Sequence, residues 1–378
     1  MPLLRQIVLA SVLTGSLMAE YPGLTLPPSG NNQKASVTQY IGPVKMTIDY
    51  SSPAVHGPDG KDRRGQIWGK LVPYGMTDLG FRAGQLSPWR GGANENTVFE
   101  VSDAITVEGQ PLPAGKYGLH LIAGPEDWTI VFSKNASAWG SFFYDDKDDA
   151  LRVKVKPTKH EYREWLTYEF TARRPTEATA ELQWEELALP WTIRVDNIND
   201  IYISRIRHEL TGEIGFNAEA YDAAAQYCVQ VGAYLDDGLK WADAAISLPG
   251  VGRTNFDTLS TKAQVLGKLG RDAEAQTIMQ TALHLPSATP LQLHLYGRGL
   301  LAAKKNQEAL EVFKLNAERN GGAWPVNVGL ARGYMAVGDY KNALEYARKA
   351  AAQAPDQQNR ENLEAMVKAL SEGKTYDR

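Results

Sequence analysis

The sequence predicts two domains of different class: an all-β antiparallel sandwich or open barrel, then an all-α solenoid of helical repeats. Three observations predict it. Apolar and polar residues alternate with period two again and again between residues 35 and 195. Small residues recur at a fixed spacing across residues 217–355. The chain, at 378 residues, also exceeds what one hydrophobic core usually serves.

Residues 1–19 read as a signal peptide. Arg5 gives a positive start, and Ile7 to Met18 is mostly apolar but short for a bilayer span. Small residues for cleavage stand at Thr14 and Ser16 or at Ala19, with Leu17 an imperfect neighbour. The alternative is an apolar N-terminal helix. Residues 20–34, with Pro22, Gly23, Pro27, Pro28 and Gly30, have the composition of a linker, so the fold is expected to begin near Ala35.

The β domain is expected over residues 35–195. Met46, Ile48 and Tyr50 alternate with Thr47 and Asp49, and Tyr117, Leu119 and Leu121 alternate with Gly118, His120 and Ile122. Leu151, Val153 and Val155 oppose Arg152, Lys154 and Lys156, which gives one apolar and one basic face. Further runs lie at Thr97–Val107, Trp128–Ser133, Trp165–Thr171, Ala178–Trp184 and Trp191–Val195. Turn-forming segments such as Glu108-Gly109-Gln110-Pro111 separate them, so eight to ten short strands are expected. No long amphipathic helix interrupts them, which argues against a parallel α/β sheet.

Several ordered motifs make a resemblance specific. They are Val44–Ser52 followed by a proline, Ile67-Trp68-Gly69-Lys70-Leu71-Val72-Pro73-Tyr74-Gly75, the Trp89–Thr97 segment, Leu112–Tyr117 and Leu151–Val155. Together they resemble domain-of-unknown-function family 2911, found in exported bacterial proteins. The resemblance implies a β-rich fold and export, and it brings no catalytic residues. Two departures stand out: Ser52 replaces the basic residue the family commonly has before the proline, and Met76–Pro88 is longer than the family pattern.

Residues 196–216 are expected to form a connecting helix, with Ile198–Leu210 helical. Beyond it, Gly238, Ala275, Ala309 and Ala343 recur at steps of 37, 34 and 34, and thirty-four is the tetratricopeptide period. Ala245, Ala282, Asn316 and Ala350 repeat the step, as do Gln226, Ala263, Gly297 and Ala331. Pro249, Pro286 and Pro355 end second helices. Residues 217–355 therefore read as four tetratricopeptide-type repeats, with Asn316 marking a looser third one. Residues 356–378 read as a capping helix and tail, with Leu363, Met366, Val367 and Leu370 inward.

Composition narrows the function. A net charge of −4 gives no footprint for nucleic acid or an anionic membrane. No stretch after the signal peptide is apolar enough to span a membrane. The single cysteine, Cys228, excludes an intramolecular disulfide and the usual thiolate zinc site, and its neighbours predict a buried, inert thiol. No phosphate loop, nucleophile elbow or paired-histidine zinc helix is present.

Chemistry concentrates in the Trp89–Thr97 loop, where Trp89, Arg90, Asn94 and Glu95 bring an aromatic plate, a cation, an amide and a carboxylate close in sequence. Arg90 suits bidentate capture of a carboxylate or phosphate, and Glu95 suits a general base or a metal ligand. The structural alternative has Arg90 and Glu95 paired with each other. His120 is the fifth candidate, facing solvent or a cleft; His56, His120 and His160 match no metal-ligand spacing, so no metal and no cofactor are assigned. Asp145, Asp146, Asp148 and Asp149 read as a solvated turn. Trp139, Phe142, Phe143 and Tyr144 read as apolar filling or as an aromatic platform for sugars.

The leading expectation is an exported, periplasmic or extracellular, non-enzymatic binding protein of the cell envelope. Its repeats engage a protein or peptide partner through their groove, and its β domain a ligand or glycan. The rivals are a hydrolase or metal-dependent enzyme sited at the Trp89–Thr97 loop, and a structural oligomerisation protein.

Overall fold

The computed structural model describes residues 32–80 and 84–376, so the expected signal peptide and nearly all of the linker lie outside the described residues. The chain divides into two compact units at Ile201/Tyr202.

The first unit is built on antiparallel strands: β1 (Gln33–Ile41), β2 (Val44–Ser52), β3 (Thr77–Asp78), β4 (Leu86–Ser87), β5 (Val98–Val101) and β6 (Ile105–Val107). They continue as β7 (Gln110–Leu112), β8 (Gly115–Ile122), β9 (Trp128–Ser133), β10 (Asp149–Val155), β11 (Thr158–Arg174) and β12 (Glu177–Arg194). A six-stranded sheet runs β1-β2-β5-β8-β9-β10, a four-stranded sheet runs β11-β12-β6-β7, and β3 pairs with β4. Phe99, Leu121 and Phe132 from the first sheet share one core with Leu182, Trp184 and Ile193 from the second. The alternation read in β2 and β10 is present, with Val44, Met46, Ile48 and Tyr50 buried, as are Val153 and Val155, whereas β8 is buried on both faces from Tyr117 to Leu121.

The first described strand begins at Gln33, beside the expected start near Ala35. Two expectations change. Thr97–Val107 is two strands in different sheets, because the chain crosses between layers at Ser102–Ala104. Ala178–Trp184 and Trp191–Arg194 lie in one strand, β12, which pairs with β11 and then at its end with β6, so the strands are not all short: β11 has 17 residues and β12 has 18. Glu185, at φ 56°, offsets the alternation inside β12 without breaking it, as a bulge does. The Glu108–Gly109 turn matches its expectation, with φ of 48° and 75° between paired Val107 and Gln110, the two-residue hairpin that glycine favours.

After α1 (Ile198–Glu209), the second unit is four antiparallel helix pairs, α2 (Ala218–Val231) with α3 (Leu235–Ser247), α4 (Phe256–Lys268) with α5 (Asp272–His284), α6 (Pro290–Ala302) with α7 (Asn306–Asn320), and α8 (Trp324–Ala336) with α9 (Tyr340–Ala352). Helix α10 (Gln357–Ser371) follows and buries Leu363, Met366 and Leu370. Capping boxes at Asn255/Thr258 and Thr289/Gln292 start α4 and α6.

The small residues of the period sit where helices cross. Ala245, Ala282, Asn316 and Ala350 are all fully buried. A Cβ on Gly238 would lie 2.8 Å from that of Cys228. Phe313 of α7 fills a socket of Gly297, Gly329 and Gly333, where a Cβ on Gly297 would come within 2.4 Å of its ring. The third repeat is not loose. Asn316 donates to the Pro290 carbonyl at 2.9 Å and accepts from Asn320 at 2.8 Å, so its polar side chain ties α7 to the start of α6. Arg319 adds bonds of 2.5 Å to the carbonyls of Leu283 and Leu285 at the end of α5.

Candidate functional sites

Strand β8 holds both ends of the Trp89–Thr97 loop. Trp89 exchanges backbone bonds with Leu121 at 2.9 and 2.7 Å, and the Leu119 N–H donates to the Thr97 carbonyl at 2.7 Å. Residues 90–96 are therefore looped out between two points of one register. Left-handed backbone at Gly91 (φ 64°) and Asn94 (φ 55°) makes the excursion tight. The Tyr168 hydroxyl donates to the Gly91 carbonyl at 2.7 Å, and Ala93 N–H donates to the Ser51 carbonyl at 2.9 Å. Ser52, just before Pro53, is buried and donates to the Leu166 carbonyl at 2.7 Å.

Arg90 and Glu95 do not pair. Glu95 takes Lys34 at 2.8 Å and the Ser51 hydroxyl at 2.8 Å, and the Lys34 bond holds its carboxyl below the ordinary range. It lines a shallow depression of about 380 Å³ with Lys34 and Asp49. Arg90 donates to the Asn94 carbonyl at 2.5 Å and lies 5.1 Å from the centroid of the Phe142 ring. Burial lowers its pKa, and its guanidinium occupies the space a Cβ on Gly140 would need.

His120 does not face solvent. It is 2% exposed, with Nδ1 at 2.9 Å from the Ser141 hydroxyl and its ring edge-on to Tyr144. Burial, and then the Arg90 charge, push its pKa down to about 4, so the ring is neutral at pH 7. The histidines stay apart: His56 pairs with Glu164 and His160 with the Glu161 carbonyl. Among the described residues no group of three or more His, Cys, Asp or Glu is placed to hold a metal. Proton transfer from Ser141 to His120 would create a buried imidazolium beside Arg90, which burial and that charge both oppose, and among the described residues no carboxylate hydrogen-bonds the ring.

Arg90 and Ser141 line a cleft of about 510 Å³ whose walls include Trp89, Trp184, Leu71, Val72 and Pro88. Trp89 stacks on Trp184 with centroids 6.2 Å apart, and Trp68 packs edge-on to both and to Trp128. Arg63 also lines the cleft, donating to the Ala54 and Val55 carbonyls at 2.8 and 3.0 Å. Among the described residues no Asp or Glu lines it. The neighbouring acidic turn is partly structural: Asp149 accepts from Tyr144 at 2.9 Å and Arg152 at 2.5 Å. The aromatic run is not one plate, since Trp139 and Phe143 are exposed, Tyr144 is buried and Phe142 meets Arg90.

A second concavity belongs to the helical unit. It measures about 360 Å³ and is lined from the first helices of successive pairs, by His294 and Arg298 of α6 and Trp324 and Arg332 of α8, then by Asn359 and Asn362 of α10. None of its lining residues is Asp or Glu. Burial, then Arg298 and Arg332, push the pKa of His294 down to about 4.

Residues 32–193 match a known family. It is described as a protein of unknown function, DUF2911. No curated protein matches the chain. Among solved structures, MamA from Desulfovibrio magneticus RS-1 is 19% identical, covering 41% of this chain and 89% of that one at a TM-score of 0.28. YrrB, described as a TPR protein with an unusual peptide-binding site, is 21% identical over 45% of this chain and 86% of its own, at 0.29. TTC0263, a TPR protein of Thermus thermophilus, is 15% identical over 46% and 90%, at 0.30. The DUF2911 match spans the β unit just described, loop and cleft included.

Of the five residues singled out in the sequence, the fold gathers Trp89, Arg90 and Asn94 at the cleft and places His120 behind Ser141; Glu95 turns to the other depression. Ser141, Arg63 and Trp184 carry no local pattern that separates them from core or surface. Arg298 and Arg332 did carry a signal: they are 34 residues apart, one position after the small residues Gly297 and Ala331.

Proposed function

We propose that this protein is an exported, non-enzymatic binding protein of the cell envelope, its helical repeats engaging a protein partner and its β domain a ligand. The groove on the first helices carries the reading. Two arginines from successive turns of the solenoid stand beside Trp324, Asn359 and Asn362, with no acidic side chain among the lining residues. Such a surface fits an acidic peptide segment, because guanidinium groups pair with carboxylates in a bidentate manner and an aromatic anchor supplies buried area.

The test is paired capture from envelope extract with the full protein and with an Arg298→Gln/Arg332→Gln variant of unchanged melting temperature. The expected result is a defined partner held by the first and lost, or weakened at least ten-fold, by the second. Equal capture by both proteins would discard the groove. Fractionation addresses export separately: the mature chain is expected outside the cytoplasm, and retention inside would remove that part of the reading. Turnover of an ester by the purified protein, lost in Ser141→Ala, would put the hydrolase in its place.

A further inference from the structure

We propose that the tryptophan-walled cleft of the β domain binds a small organic carboxylate with an apolar body. This rests on the reading that the β domain holds a ligand and names its chemistry.

Size comes first. About 510 Å³ falls within the range of small-molecule sites. The walls are mostly apolar, with Trp89, Leu71 and Val72 offering surface that favours a hydrophobic body. Charge then selects the polar end. Arg63 and Arg90 both reach the cleft, and their described hydrogen bonds go to backbone carbonyls rather than to carboxylates. A guanidinium has five N–H donors, so each retains donors after these bonds. Among the described residues no Asp or Glu lines the cleft, so the two arginines give that lining a net positive charge.

The same inventory argues against a sugar. Sugar hydroxyls need acceptors as well as donors, and among the described lining residues the side-chain acceptors are amide and hydroxyl oxygens such as those of Asn94, Thr77 and Ser87, with no carboxylate. The floor adds a further constraint. Ser141, held 2.9 Å from His120, presents a neutral polar group rather than a second charge. One planar anion meeting a guanidinium, with its carbon skeleton along the tryptophan wall, matches all of these features.

Calorimetry on the full protein at pH 7 tests this with four probes: 4-phenylbutyrate, 4-phenylbutyramide, inorganic phosphate and chitotriose. The carboxylate is expected to bind at least ten-fold more tightly than its amide, with phosphate and chitotriose weaker still. Leu71 is exposed, so Leu71→Asp should preserve the fold while placing a repelling charge at the cleft; it is expected to weaken the carboxylate at least ten-fold. Arg90→Lys should retain part of the affinity and Arg90→Gln little. The Arg298→Gln/Arg332→Gln protein should bind the carboxylate as the parent does, and a loss there would move the anion to the helical groove and overturn the assignment.

Equal binding of carboxylate and amide, or of carboxylate and phosphate, also overturns it. Chitotriose binding without the carboxylate would overturn the ligand class while leaving a ligand-binding β domain in place. Failure of all four probes would remove both.

Discussion

Gly297 and Gly267 are both helical glycines, yet their surroundings give them opposite roles. A Cβ on Gly297 would meet the Phe313 ring at 2.4 Å, while one on Gly267 would meet nothing within 4 Å. Gly297→Ala is therefore expected to cost about 1–3 kcal/mol through overpacking. Gly267→Ala should stabilise by about 0.5–1 kcal/mol, because alanine loses less backbone freedom in a helix. Urea denaturation of the two variants checks the opposed signs. The same scale explains which site residues were legible. Arg90 stood out because a cation among aromatic and glycine neighbours is unusual for a turn. Its partners did not, since Ser141 and Trp184 reach the cleft from distant strands and loops. Glu95 misled for a simple reason: the sequence places it beside Arg90, but the left-handed turn at Asn94 sends it to Lys34.

Among the elements, α7 has the most specific fastening. Arg319 donates to two carbonyls at the C-terminal end of α5, and Asn316 to one at the start of α6. The Leu283 and Leu285 carbonyls lie at the C-terminal end of α5, where the intrahelical ladder leaves acceptors without partners. Arg319→Ala should cost about 1.5–3 kcal/mol, the range for bonds to a charged donor; a change under about 0.5 kcal/mol in the urea transition would show that water replaces it. Asn316 illustrates why a broken pattern was misread. A polar residue at a small-residue position suggests looseness until its hydrogen bonds are known. Strands β2 and β10 were legible because each alternates with period two, while β8 is buried on both faces and its His120 read as an outward residue. The continuity of β12 was not, since the Glu185 bulge shifts the alternation and mimics a strand boundary.

Across the whole molecule, each unit buries one neutral histidine, His120 in the first and His294 in the second, both with pKa near 4. Unfolding returns each ring to water, where its pKa is about 6.5. The unfolded chain therefore binds more protons between these values. Stability from each group is complete above about pH 6.5 and is lost as pH falls toward 4, at up to about 1.4 kcal/mol per pH unit for each ring. Urea midpoints at pH 7, 6 and 5 should fall in both units, and His120→Gln should flatten the trend for the β unit alone. An unchanged midpoint from pH 7 to 5 would contradict the buried, neutral assignment of both rings.

Cys228 has a practical consequence of its own. It is the chain's only cysteine, it is fully buried between α2 and α3, and burial raises its thiol to about 11. A thiol-directed dye consequently has a single target and no access to it in the closed state. Labelling in native buffer should proceed at the rate or population with which the first helix pair opens, far below the rate for the denatured chain. The wild-type protein thus carries a built-in clock for opening of its first helix pair, at the far end of the solenoid from the groove lined by α6, α8 and α10.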